Sequence, residues 1–571
     1  MWLLGINIGH NGSTALFKDN ELIFYIEEDR LSRWKYDGNP YLGMEKAYEY
    51  TDHIDYLIIC ATHNRFGQLP WTSEDPYACY IRKKQPYTPF ELIRLGDEHH
   101  FTHATTAFYN SGFDEAAAIV IDGAGSMVQD EMFESIKEDT WETESIWSLA
   151  YPDEVTKHLA YYGSNRVDTF RKDEDEFLIE ISDAHGITKT YEAVTMFLGF
   201  HAIEAGKTMG LAPYGKPNDS IKIHEGKYTN RSLIKPKFPA SNCIRAELYP
   251  ELEELDDKRD WHTNPSLVGE YRKDLAYAVQ KSSEDRVVEL IQKAIDVTGH
   301  TKIVMSGGYG LNCVANYEFL KRFPEIEFYH EPISHDGGNV IGSCQYVYRS
   351  VTKNEDPTPL TSLYLGPDNS VDYKQIDDID KELFEISDTS EKEIAQMIAD
   401  RTIVCLYQGR SEAGPRALGN RSILYDPTDP DGKDTVNEVK NREWFRPFAG
   451  TVLAEDVHEW FDLRTKNETP FMMYAVNVNE DKQDKIPAIT HVDGTCRIQT
   501  VSESQNKNYY NLIKEFKNLT GVPVVFNTSF NLGGDPLVET LDEALSTLTK
   551  SDLKYLWLPE IGKLVTKKEI D

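Results

Sequence analysis

"LLGINIGHNGSTALFKDNELIFYIEE" (residues 3–28) decides the fold. It reads as an apolar strand, a turn built on Gly9 and Gly12, a second strand, a polar turn and a third strand. The same order recurs at 116–136, "AAAIVIDGAGSMVQDEMFESI", where an apolar strand precedes a small-residue turn and a second strand. A third glycine-rich turn, in "KIVMSGGYGLNCVANYEFLKRF" (302–323), lies between a strand and a helix. These stretches predict two related halves, each opening on a hairpin that offers its turn to a ligand, and three such turns predict one nucleotide site. Taken singly, each glycine turn reads equally well as a tight turn and nothing more.

The first residues are apolar but have no basic leader and soon turn polar, so they read as a strand and not as a signal peptide. No apolar run approaches the length of a membrane span. At 571 residues the chain exceeds one ordinary core. The polar stretch "VTKNEDPTPLTSLYLGPDNS" (351–370) is the expected linker, dividing a domain over 1–355 from a second over 356–571. Charge-rich residues 151–190, which include "RKDEDEF", read as an irregular surface excursion or part of an acceptor-binding lobe. Seven scattered cysteines without a C-x-x-C pair fit a reducing cytoplasm, and exclude a zinc ribbon or a disulfide framework.

Lys and Arg number 60 against 95 Asp and Glu, a net charge of −35 that makes polymeric nucleic acid a poor partner. Residues 401–450 reverse the sign, with eight Lys/Arg against seven Asp/Glu. There, "CLYQGRSEAGPRALGNRSILYDP" (405–427) sets Arg410, Arg416 and Arg421 among glycines, where backbone can approach a ligand and guanidinium groups offer paired donors to phosphate. Lys440, Arg442, Arg446 and Arg497 add cations, and "NTSFN" supplies Asn527, Thr528 and Ser529 as short polar groups after a strand. Surface ion pairs are the plain alternative for these cations.

In "HHFTHATTAFYNSGF" (99–113), His99 and His103 stand four apart on one helix face, with Gly112 as a stop. Asp122 ends a strand, and Asp336 precedes a glycine turn in "SHDGGNVIGS". Two histidines and two aspartates make a mixed nitrogen and oxygen set suited to Fe(II), Mn(II) or Zn(II). Each aspartate alone reads equally as a helix cap or turn residue.

"HHFTHA", "DGAGS", "EAGKTMGLAPYG" (204–215), "SGGYGLN", "HDGG", "QGRSEAGPRALGNRSI", "FRPFAG", "HVDGTCRIQTV" and "NTSFN" occur in an order that resembles the NodU/CmcH-type O-carbamoyltransferases over nearly the whole chain. The arginine-rich motif and "NTSFN" are its most specific parts. The resemblance implies an α/β and α+β protein: a duplicated actin/sugar-kinase-like domain, similar to the tRNA threonylcarbamoyl transferase, followed by a YrdC-like domain. The second would join carbamoyl phosphate to ATP, carried with Mg, giving carbamoyladenylate and pyrophosphate. The first would pass the carbamoyl group to the hydroxyl of a small acceptor: a sugar, antibiotic, polyketide or modified nucleotide. Carried over residue by residue, it makes His99, His103, Asp122 and Asp336 ligands of a divalent metal, Fe(II) first, with Mn or Zn as alternatives. It makes His10 the base and sets Lys35 near the carbamoyl site. Gly123, Lys207, Gly307, Gly308 and Asn312 would frame the adenylate, and Arg410, Arg416, Lys440, Arg446, Arg497, Asn527, Thr528 and Ser529 would bind ATP and carbamoyl phosphate.

Tyr309 and Gly310 stand where relatives often carry small apolar residues, which predicts a differently shaped adenosine pocket, and 151–190 has no evident counterpart. Both leave the acceptor open. The competing functions are a tRNA threonylcarbamoylating fusion, disfavoured by the net charge, and a non-catalytic nucleotide sensor. A cytoplasmic enzyme is expected.

Overall fold

Strand Trp2–Ile8 is buried from Leu3 onward, so its apolar residues are covered on both faces and read as a continuous run rather than an alternation. It pairs antiparallel with Ser13–Lys18, which pairs antiparallel with Glu21–Glu27, the meander expected of the opening stretch. On its other side come Tyr56–Ala61 and then Glu91–Arg94, both parallel. The computed structural model describes residues 1–61, 75–128, 140–164, 169–173, 178–182, 185–223 and 268–569. They belong to two units, 1–28 with 36–361, and 29–35 with 362–571.

A second sheet of the first unit repeats that topology. Glu115–Ile121 pairs antiparallel with Thr140–Ala150, which pairs antiparallel with Glu154–Ser164, while Lys302–Ser306 and Glu327–His330 follow in parallel on the other side. Two halves therefore share one strand order. Strand Glu115–Ile121 takes Thr140–Ala150 as its partner; the second strand expected before residue 136 falls largely on 129–136, outside the described residues.

The expectation of irregular structure over 151–190 is corrected. Glu154–Ser164, Thr169–Asp173 and Leu178–Ser182 are strands that extend the second sheet to seven. Val155, Leu159, Tyr161, Tyr162, Ile179 and Ile181 supply β-forming side chains that outweigh the nearby charges. Residues 174–177 of "RKDEDEF" lie outside the described residues.

Two helices set the functional loops of this unit. His99–Ser111 ends on Gly112, whose φ of 72° is the left-handed cap predicted for it. Its flank rests on Asn339–Thr352 so closely that a Cβ on Gly342 would stand 2.2 Å from the Thr106 backbone, so only glycine fits that crossing.

The second unit is built on a ten-stranded sheet. Its centre runs Val404–Tyr407, Arg421–Tyr425, Val524–Ser529, Ala449–Leu453, Thr495–Val501. Helix Lys507–Thr520 buries Tyr509, Leu512, Ile513 and Phe516, an i, i+3, i+4, i+7 stripe. Helix Glu391–Ala399 is opened by a reciprocal cap between Ser390 and Glu393. The boundary at 361/362 falls inside the stretch 351–370. Among the described residues, no helix is long and apolar enough to cross a membrane.

Candidate metal centre and anion site

Helix His99–Ser111 aims two imidazoles at one point because four residues separate them. His99 Nε2 lies 3.2 Å from His103 Nε2, 3.3 Å from Asp122 Oδ2 and 3.6 Å from Asp336 Oδ1. His103 Nε2 lies 3.5 Å from that same Asp336 oxygen. All four residues are buried, and one ligand atom from each falls within 4.8 Å of the others. Ligands held about 2.1 Å from one ion stand roughly 3–3.6 Å apart, so this donor set fits a divalent metal.

Outer contacts orient the quartet. Ser306 Oγ sits 3.2 Å from His103 Nδ1, which leaves Nε2 facing the other donors. The Gly308 N–H donates to Asp122 Oδ1 at 2.9 Å. Gly307 makes that turn at a φ of 89°, with a Cβ there 2.3 Å from the Ile121 carbonyl oxygen. The Asp336 loop is clamped as well. Ser13 Oγ donates to the Gly337 carbonyl at 2.7 Å, the Gly337 N–H donates to His335 Nδ1 at 3.1 Å, and His335 Nε2 lies 3.0 Å from Glu27 Oε1.

Burial opposes charge on His99, but the Asp336 and Asp122 carboxylates outweigh it and hold its imidazole up at about 10. Burial holds His103 below the usual histidine value. Against their own burial, both carboxylates are held below the ordinary range, Asp122 by the hydrogen bond from His99 and Asp336 by the charges of His10 and His99. His10 reaches this group from the first glycine turn, its Nε2 3.5 Å from Asp336 Oδ2 and its side chain 57% exposed.

Of the other expected residues of the first unit, Gly123, Gly307 and Gly308 lie at the same loops. Gly123 and Gly308 flank Asp122 in sequence and in space, and a Cβ on Gly308 would stand 3.3 Å from Asp122 Oδ1. Asn312 caps helix Cys313–Arg322 and shares amide contacts with Gln280, so it serves structure at least as much as any ligand. Lys207 pairs with Glu204 at 2.8 Å and lies over the Phe200 ring. Lys35 belongs to the second unit, in segment 29–35.

In that second unit several cations converge. Lys440 Nζ donates to the carbonyl and hydroxyl of Ser529 and to Asn531 Oδ1. Arg442 donates to Thr528 Oγ1 at 3.4 Å. Burial, then the adjacent Arg442 and Arg446 charges, push the Lys440 ammonium well below its usual range, and Lys35 adds to that push. Burial with Arg446 and Arg497 does the same to Arg442. Glu443 lies 3.6 Å from Arg446, yet the buried Nε of Arg497 makes no hydrogen bond. Arg497 and Asn527 flank Ala449 in register, so the three share one face of the sheet. Asn527 donates to the Ala417 carbonyl and to Thr451 Oγ1. Cations this desolvated could hold an anion with several oxygens.

The arginine-rich loop divides differently from the expectation. Arg421 is fully buried, stacked 3.8 Å over the Tyr407 ring, and donates to the carbonyls of Gln408, Gly409, Asn420 and Glu539, so it holds the loop. Arg410 donates to the carbonyls of Leu365 and Gly366. Arg416 is half-buried between the two strands. Glycines beside arginines look alike in sequence whether the backbone receives a ligand or the guanidinium. Glu27, His335, Lys189 and Glu192 carry no signal in the sequence: the first two meet across a long separation, and the last two read as an ordinary i, i+3 helix pair.

Two family models match, described as Carbamoyltransferase N-terminus over residues 83–344 and Carbamoyltransferase C-terminus over 395–567. Among similar proteins, the nodulation protein NolNO of Sinorhizobium fredii is 30% identical, over 98% of this chain and 79% of its own length. The nodulation protein NolO of Bradyrhizobium diazoefficiens is 29% identical over 82% and 78%. Nodulation protein U of Rhizobium tropici is 34% identical over 50% and 47%. A solved structure of full-length HypF in a phosphate- and nucleotide-bound form aligns at 11% identity over 61% of this chain and 56% of that one, with a TM-score of 0.36, too slight a likeness to argue from.

Proposed function

The chain belongs to the carbamoyltransferase family, and on that premise we propose that it is an ATP-dependent O-carbamoyltransferase whose two units divide the chemistry. The observation that carries this reading is the cation cluster of Lys440, Arg442, Arg446 and Arg497, with the Arg497 Nε left without a hydrogen bond among the described residues. A polyphosphate with carbamoyl phosphate beside it is the ligand that such a cluster fits.

The balance of atoms sets the sequence of steps. Carbamoyl phosphate loses its phosphate to water, giving carbamate and inorganic phosphate. A carbamate oxygen then attacks the α-phosphorus of ATP, and pyrophosphate leaves with the electrons of the broken P–O bond, giving carbamoyladenylate. Lys440 and the arginines hold the phosphates throughout, and Asn527, Thr528 and Ser529 orient the carbamate.

Transfer belongs to the first unit, whose repeated sheet topology supports the actin/sugar-kinase-like reading; the YrdC-like reading of the second rests on the sequence resemblance. His99, His103, Asp122 and Asp336 would hold a divalent ion, Fe(II) first, which when bound neutralises charge on the departing phosphate. His10 takes the proton as the acceptor oxygen bonds to the carbamoyl carbon and AMP leaves. The acceptor is a small hydroxylated molecule, and the repulsion of a −35 chain disfavours tRNA.

The test measures pyrophosphate with ATP and Mg, with and without carbamoyl phosphate, for wild type and Arg497→Ala. One lost charge-assisted contact of about 2–3 kcal/mol predicts a ~30- to 100-fold slower carbamoyl-phosphate-dependent release. Release that ignores carbamoyl phosphate sinks the reading, and an unaffected variant removes Arg497 from the site.

A further inference from the structure

Two charged side chains outside the histidine–aspartate quartet end at the loop that follows Asp122. Lys189 and Glu192 stand three residues apart on helix Gly186–Phe197, with Nζ 2.6 Å from Glu192 Oε2. Their side chains are only 11% and 16% exposed. A Cβ on Gly123 would stand 2.8 Å from Glu192 Oε1 and 3.4 Å from Lys189 Nζ. Both charged heads therefore rest on the residue next to a metal-ligand candidate, and a side chain at position 123 would displace them. Burial pushes the Glu192 carboxyl up, Lys189 opposes that, and Asp122 and His10 act on it too, which sets the pair within the same group of charges.

The group to be transferred has a matching pattern. A carbamoyl carbon carries an oxygen that accepts hydrogen bonds and an NH2 that donates them. An ammonium beside a carboxylate presents one donor and one acceptor side by side. We propose that Lys189 and Glu192 form the carbamoyl-recognition site of the first unit, Lys189 donating to the carbonyl oxygen and Glu192 accepting from the NH2. The inference rests on the transfer chemistry proposed above.

Two consequences follow from the geometry. Lys189, with its Nζ beside Gly123, is a cation of the first unit placed to meet the carbonyl oxygen as it gains charge. Glu192 supplies selectivity. An acetyl group has the shape of a carbamoyl group but sets a methyl where the NH2 stands, and would leave the half-buried carboxylate without a donor.

The experiment uses two stable mimics of the adenylate, 5′-O-(N-carbamoylsulfamoyl)adenosine and 5′-O-(N-acetylsulfamoyl)adenosine, titrated calorimetrically into the full-length protein. Wild type should prefer the carbamoyl compound at least about 30-fold. Glu192→Ala should reduce that preference to within about threefold, and Glu192→Gln, which keeps the shape of the side chain, should lose about tenfold for the carbamoyl compound alone. Lys189→Met should weaken both compounds alike. A preference retained in both Glu192 variants overturns the assignment while leaving the transfer reading intact. Failure of wild type to bind either compound overturns both.

Discussion

Replacing Glu27 with alanine should weaken metal binding by a group that touches no metal. Glu27 Oε1 lies 3.0 Å from His335 Nε2, and His335 Nδ1 accepts from the Gly337 N–H, so the ring is fixed with its Nε2 hydrogen toward the carboxylate. The residue between the two anchored positions is Asp336. A hydrogen bond to a charged group contributes about 1.5–3 kcal/mol. Because Ser13 still holds the Gly337 carbonyl at 2.7 Å, the lower half of that range applies, and about 1.5–2.2 kcal/mol corresponds to ~10- to 40-fold in affinity. That falls within the 10- to 100-fold typical of groups that orient ligands. Glu27→Gln keeps an acceptor for His335 and should stay within about threefold of wild type. The assay is titration with Mn(II), reading free ion by electron paramagnetic resonance, with circular dichroism to confirm the fold. An alanine variant within twofold of wild type, or equal losses in both variants, would refute the clamp.

The remaining expectations separate chemistry from support. His10→Asn should slow carbamoyl transfer by about 10²–10⁴-fold while carbamoyl-phosphate-dependent pyrophosphate release continues, read by assaying both products together; equal loss of both would count against a base. Arg421→Lys removes a planar fork that serves four carbonyls and the Tyr407 ring, so denaturant titration should show a loss of about 2–4 kcal/mol, and unchanged stability would be the contrary result. Glu331 is buried and pushed up to about 7 by that burial. A carboxyl raised in the folded state contributes stability that is complete below about pH 4.5 and lost as pH climbs through 7. Glu331→Gln should therefore flatten the melting temperature between pH 5 and 8 and exceed wild type at pH 8, by up to about 3 kcal/mol of stability; a variant that follows the wild-type slope would exclude Glu331 as its source.

Legibility followed the range of each interaction. The opening meander was readable because its strands are neighbours in sequence, and the turn at Gly9 and Gly12 separates two apolar runs. His99 and His103 were readable as a pair, since one helix turn brings them together, but Asp336 joins them only through the packing of a helix much later in the chain. The strands of 154–182 were missed because their charges obscured an alternation that depends on pairing with Thr140–Ala150. Arg421 shows the opposite failure. Its motif is distinctive, but sequence cannot tell whether a guanidinium beside glycines faces a ligand or the glycines' own carbonyls, and here the carbonyls take it.

The two charge environments suit the two stages of the chemistry proposed above. Activation as proposed collects negative charge, so its site calls for desolvated cations, and burial makes Arg442 and Lys440 such cations. Transfer as proposed releases negative charge beside a proton acceptor, so its site calls for fixed carboxylates and imidazoles able to hold a cation beside an exposed imidazole, the arrangement that Asp122, Asp336 and His10 offer. Merging the two sets would neutralise both: the aspartates would pair with the arginines, and each group would lose the partner its step requires. On the proposed two-step reading, the opposite composition of the two groups of charges is what the two steps call for.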